Sequence, residues 1–163
     1  MNAIIIFDTR FGNTEQIARA IAAALPPAFT TRVEKVDQVG ELQSEPIDLL
    51  IVGGPTHMQR MTTELKAVLD AIPRRSLKGV KAAAFDTRYH VAAWLAGSAA
   101  KRIAHSLQKA GAQLVVPPES FFIARDIPPE GEKRRHEMEH PEPGELERAA
   151  AWARQVAEAV SPA

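Results

Sequence analysis

The sequence predicts a three-layer α/β sandwich built on a five-stranded, parallel, doubly wound sheet. Short apolar runs alternate with helical periodicities along the chain, which is the pattern of strand–helix–strand units whose sheet is covered on both faces. None of the 12 prolines falls inside a predicted helix. At 163 residues the chain is long enough for one domain to bury roughly two thirds of its unfolded surface. One domain over residues 1–163 is therefore expected.

The first strand is read from Ala3 to Phe7, an Ile-rich run with no polar face, as in a strand buried on both sides. A helix follows from Thr14 to Leu25, with Ile17, Ile21 and Leu25 on one face and Pro26-Pro27 closing it. Thr30 to Val36 alternates and reads as a second strand. Ile47 to Val52 is a second buried run, ended by Gly53-Gly54-Pro55. Leu65, Val68, Leu69 and Ile72 mark a helix closed by Pro73, and Val80 to Phe85 is the fourth strand. Ser98 to Ala110 is a helix with Gly111 at its end. Leu114–Val116 and Phe121–Ile123 read as halves of a fifth strand around Pro117-Pro118. The last helix spans about Gly144 to Val160, with Leu146, Ala149, Ala153, Ala157 and Val160 inward. Before it, residues 126–143 carry five Pro or Gly and no apolar period, and read as a long solvated excursion.

Composition removes several function classes. Without cysteine there is no disulfide framework, thiolate zinc site, cysteine-held cluster or cysteine nucleophile. Zero net charge argues against a strongly basic nucleic-acid binder and a strongly acidic docking surface. No stretch approaches the length of a membrane span, and the N-terminus lacks the basic start of a signal peptide, so a cytoplasmic location is expected. The neutral sum is uneven, however. Up to Arg125 there are 15 Lys+Arg and 11 Asp+Glu, and from Asp126 onward 5 and 9. A cationic ligand edge with acidic charge gathered around 126–147 is the expectation.

Doubly wound sheets bind ligands beyond the carboxyl ends of their strands. The first such connection reads Asp8-Thr9-Arg10-Phe11-Gly12-Asn13-Thr14-Glu15 and runs into a helix. Hydroxyls, Gly and Asn at a helix N-terminus make an anion site: free N–H groups point outward, and Gly12 lets the chain approach closely. The alternative reading has Thr14 merely capping the helix and Gly12 merely turning the chain. Neither G-x-x-x-x-G-K-[ST] nor G-x-G-x-x-G occurs, and the acidic pair and the Asp of a receiver domain are missing.

Thr9-Arg10-Phe11-Gly12-Asn13-Thr14-Glu15 resembles the phosphate loop of flavodoxins, and Gly54-Pro55-Thr56 resembles their second flavin-contacting loop. The resemblance implies strand order 2-1-3-4-5 and an FMN cofactor. It also implies an electron-transfer role, as a carrier or a small flavin-dependent reductase. Thr9, Asn13 and Thr14 match the loop's polar positions, and Phe11 stands where the family has a hydroxyl. The ring system would lie against the loop Pro55-Thr56-His57-Met58 and the loop Thr87-Arg88-Tyr89, with Tyr89 as the stacking aromatic. Trp94 is either a second wall or a packing residue. A redox partner protein or small electron acceptor is expected, in a monomer or homodimer. The alternative is a flavodoxin-fold module that binds no flavin and serves as an interaction or small-anion-binding domain.

Two motifs remain. Phe-Asp-Thr-Arg occurs at 7–10 and again at 85–88, each time at a strand end, so Arg10 and Arg88 are both expected at the ligand edge, with Arg60, Arg74 and Arg75 as further cations. The other reading pairs these arginines with Asp8, Asp86, Glu64 or Asp70. His136-Glu137-Met138-Glu139-His140 matches the zinc-protease pattern H-E-x-x-H. Its charged flanks and Pro141 offer no helix to present both histidines, so no metal site is expected.

Overall fold

The computed structural model describes residues 1–40, 46–57, 60–90, 97–126 and 139–160. Its strands are β1 (Asn2–Phe7), β2 (Thr30–Lys35), β3 (Leu49–Pro55), β4 (Lys81–Arg88), β5 (Gln113–Leu114), β6 (Glu119–Arg125) and β7 (Glu139–Pro141). The helices are α1 (Asn13–Ala24), α2 (Thr63–Ala71), α3 (Ala99–Lys109) and α4 (Glu145–Val160). The sheet runs β2-β1-β3-β4-β6-β7, with β5 pairing the start of β4. The predicted doubly wound sandwich is what the chain forms.

The double-sided burial follows from the alternation of side chains along each strand. Ala3, Ile5 and Phe7 of β1 join Leu49, Ile51, Ala83, Phe85 and Phe121 against α1 and α4. Ile4 and Ile6 join Leu50, Val52, Ala82 and Ala84 against α2 and α3. Phe85, Phe121 and Trp152 meet edge to face at centroid distances of 6.0 to 6.2 Å and anchor α4 to the sheet.

Five expectations need correction. β3 does not stop at the glycines but runs through Gly53 and Gly54 to Pro55. A Cβ on Gly53 would lie 2.1 Å from the Phe85 ring, and one on Gly54 2.6 Å from Leu65, so these glycines admit close packing rather than a turn. β4 continues to Arg88, because its end pairs with β6 through Thr87↔Phe121 and Arg88↔Phe122. The two halves of the expected fifth strand are separate strands on β4, since Pro117-Pro118 supplies no N–H for a ladder. The excursion ends in β7, antiparallel to β6 with Ala124↔His140 in register, so the sheet is not wholly parallel. On α4 the buried face is Ala149, Trp152, Ala153, Val156 and Ala157, whereas Leu146 is 39% exposed.

Candidate functional site

Parallel pairing brings the carboxyl ends of β1, β3 and β4 to one edge, where their loops enclose a cleft of about 480 Å³ that is partly open to solvent. Thr9, Arg10, Phe11, Asn13 and Thr14 form one wall. Pro55, Thr56 and His57 form a second, and Thr87 and Tyr89 a third. Ile123 and Glu139, neither anticipated from the sequence, complete the lining. Gly12 and Arg88 do not line it. Met58 and Trp94 lie outside the described residues.

The first loop is held by its own polar groups. Asp8, 7% exposed, accepts the Thr9 N–H at 2.8 Å and the Thr62 hydroxyl on its other oxygen. Thr62 in turn caps α2 by accepting the Leu65 N–H. Thr9 Oγ1 accepts the Gly12 N–H at 2.9 Å. This fold sets Gly12 at φ +85° as the N-cap of α1, a conformation that other residues adopt only under strain, and it provides no side-chain cap bond. The first N–H groups of α1 therefore keep their capacity for an outside acceptor, and the helix dipole favours an anion there. Asn13 lines the cleft at 6% exposure, and its Oδ1 has no hydrogen-bond partner. Buried polar atoms are nearly always satisfied, so this oxygen fits a donor supplied from outside the chain. Thr14 neither caps the helix nor faces solvent. It is 1% exposed, and its hydroxyl lies 2.8 Å from that of Thr87, tying α1 to β4.

The second and third loops are braced from beneath. Asp86 is fully buried, and its Oδ2 accepts the Thr56 and Ser98 hydroxyls at 2.8 Å and the Ala100 N–H at 3.0 Å. Thr56 Oγ1 also accepts the Ala99 N–H. One carboxylate thus fixes both the start of α3 and the Thr56 wall. His57 and Arg60 exchange backbone bonds at 2.9 Å.

Tyr89, 38% exposed, accepts a hydrogen bond from Arg125 Nη2 at 2.8 Å, and Arg125 pairs with Glu139 at 2.9 Å. Burial and the Glu139 carboxylate together push the Tyr89 phenol above its usual pKa, against the opposing pull of Arg125.

The expected cationic edge is divided. Arg10 is exposed in the cleft, with no hydrogen bond or ion pair among the described residues. Arg88 follows Thr87 on a paired strand and so points to the other face, where it bonds the Gly97 carbonyl and lies 5.7 Å from the Phe122 ring centre. Arg60 lines a second depression between α2 and α3, with Lys66, Lys101 and Arg102. Arg74 and Arg75 precede β4 and sit at the opposite end of the sheet. His90 stacks on Phe122 at 3.8 Å and bonds Glu142. Of the H-E-x-x-H pattern, residues 136–138 lie outside the described residues. Glu139 and His140 are in the extended strand β7, not on a helix.

A family profile described as Flavodoxin domain matches residues 4–115, which is most of the chain and includes the first three walls of the cleft. The chain belongs to the flavodoxin domain family. Solved flavodoxin structures share its fold. Oxidised Flavodoxin 1 from Bacillus cereus is 20% identical with a TM-score of 0.76, covering 97% of this chain and 98% of that one. Oxidised Flavodoxin 2 from Bacillus cereus is 22% identical with a TM-score of 0.73, covering 97% and 99%. Rubredoxin oxygen:oxidoreductase from Desulfovibrio gigas contains a similar region: 18% identity, TM-score 0.70, 98% of this chain and 36% of that one. No curated protein sequence matches the chain. Among the described residues of this flavodoxin-domain chain, no helix is long and apolar enough to cross a membrane.

Proposed function

We propose that the protein binds FMN in the cleft and passes electrons between a redox partner and an acceptor. The carrying observation is the buried Asn13 oxygen without a partner, set beside the side-chain-free cap of α1 in a cleft that three loops share. The free N–H groups in the first turn of α1 would hold the phosphate, with Thr9 able to donate its hydroxyl proton, while the Asn13 oxygen would accept from a hydroxyl of the ligand. Arg10 adds a cation at the same wall. Pro55, Thr56, His57 and Tyr89 would flank the ring, whose fixed dipoles and walls set its potential. When bound, FMN supplies one- and two-electron transfer, and the residues named here bind and orient it.

Phe11 favours a second reading, a flavodoxin-fold module without flavin. Phe11 is 47% exposed and lines the cleft where the family has a hydroxyl. One experiment separates the two: record the visible spectrum of the purified protein, then titrate apoprotein with FMN and follow flavin fluorescence. Yellow protein and saturable quenching support the first reading. Colourless protein that leaves flavin fluorescence unchanged at micromolar concentration supports the second.

A further inference from the structure

The end of the 126–143 segment reaches into the cleft, although nothing in its composition announces a site. β7 pairs antiparallel with β6 and carries Glu139 inward, with only 4% of its side chain exposed. Its carboxylate holds Arg125 Nη2 at 2.9 Å. The same nitrogen donates to the Tyr89 hydroxyl at 2.8 Å, and the guanidinium carbon lies 4.9 Å from the centre of the Tyr89 ring. Two residues from two other segments, Arg125 and Glu139, therefore converge on one phenol. Tyr89 begins the loop that follows β4, and an exposed aromatic in such a position has several rotamers available. Here its oxygen is engaged by Arg125 and Glu139, and the guanidinium covers part of its ring.

A phenol whose hydroxyl is engaged in this way has chiefly a ring face left to offer. Tyr89 itself lines the cleft. The arrangement suits a flat aromatic ligand better than one recognised by a hydrogen bond to the phenol. It also removes in advance the rotamer freedom that Tyr89 would otherwise lose on binding.

We infer that Glu139 and Arg125 are positioning residues that latch Tyr89 as the ring-facing wall of the cofactor site, which makes the paired ends of β6 and β7 part of that site. The inference rests on the FMN reading above. It extends that reading to a segment the family profile, which ends at residue 115, does not reach.

Tyr89 is the only tyrosine in the chain, so in apoprotein the phenolate signal reads it alone. The test compares wild type with Glu139→Ala, Glu139→Gln and Arg125→Met in two measurements. The first is the alkaline titration of phenolate absorbance in apoprotein. Glu139→Ala is expected to lower the titration midpoint, because a buried acceptor that raises it is gone while Arg125 remains. Glu139→Gln, which keeps an acceptor oxygen without the charge, should fall between the two. The second is FMN affinity by fluorescence quenching. It should weaken about three- to ten-fold in Glu139→Ala and in Arg125→Met, the range for ordering one side chain on binding, with partial recovery in Glu139→Gln.

A Tyr89 midpoint unchanged by Glu139→Ala would overturn the latch. A shifted midpoint with unchanged FMN affinity would overturn its role in positioning the wall. Wild-type protein that takes no FMN would instead overturn the cofactor reading, while the apoprotein titration still reports whether the latch exists. Far-UV circular dichroism of each variant checks that the sheet is intact. If Glu139→Ala fails that check, Arg125→Met and Glu139→Gln carry both measurements.

Discussion

The two copies of Phe-Asp-Thr-Arg begin alike and end differently. In both, the Phe enters the core beneath α1 and α4, and the Asp turns to the other face to brace the start of a helix, α2 for Asp8 and α3 for Asp86. Beyond that point the copies part. β1 ends at Phe7, so Thr9 and Arg10 belong to a loop: Thr9 folds back on Gly12, and Arg10 faces the cleft. β4 is held to its last residue by β6, so Thr87 and Arg88 alternate across a sheet. Thr87 meets Thr14 in the interior, and Arg88 is carried away from the site. One tetrapeptide thus has two fates, decided by whether a neighbouring strand continues beside it.

The largest expected difference between the copies lies at the aspartates. Asp86→Ala leaves three donors, one buried and two half-buried, without their charged acceptor and should destabilise the protein by about 3–5 kcal/mol. Asp8→Ala removes two bonds at a slightly more open place and should destabilise it by about 1–3 kcal/mol. Urea denaturation of both variants checks the order, and equal losses would break the comparison.

Next comes Gly53→Ala, which drives a methyl group into the Phe85 ring of the second copy. The ring is locked between Phe121 and Trp152, so a loss of about 1–3 kcal/mol is expected, without a change in denaturant slope. Full stability would mean that the aromatic cluster yields.

The arginines sharpen the comparison further. Arg10→Gln should weaken FMN binding about two- to five-fold, less so at high salt, and leave stability within about 0.5 kcal/mol. Arg88→Gln should spare FMN affinity. If both variants lose affinity equally, the two copies face the same site.

The smallest effect lies beside the second copy, at His140 on β7. Its hydrogen bond to the Pro141 carbonyl and its pairing with Asp126 raise its pKa above the ordinary imidazole value. A group raised on folding stabilises the paired ends of β6 and β7 fully below its unfolded pKa, and that contribution fades as pH rises through the raised value. NMR titration of the His140 ring should show the elevated midpoint. An ordinary midpoint would detach His140 from Asp126.

The sequence by itself determined the sandwich, the helices and the glycine-bearing loop that leads into α1. Each of these is written in neighbouring residues, as apolar runs, i, i+4 spacing, prolines at element ends and a Gly-Asn-Thr helix start. Ten of the fourteen residues expected at the site do line one cleft, because parallel strands ending at one edge leave little choice of place. The tertiary structure alone decided the rest. Arg88 left the site because β6 extends β4, and Thr14 turned inward because Thr87 lies beneath it. Glu139 entered because three residues of a Pro-flanked, charged segment pair with β6. Periodicity is a local property that a single segment displays. The partner of a side chain is set by contacts across dozens of residues, and no segment records them alone.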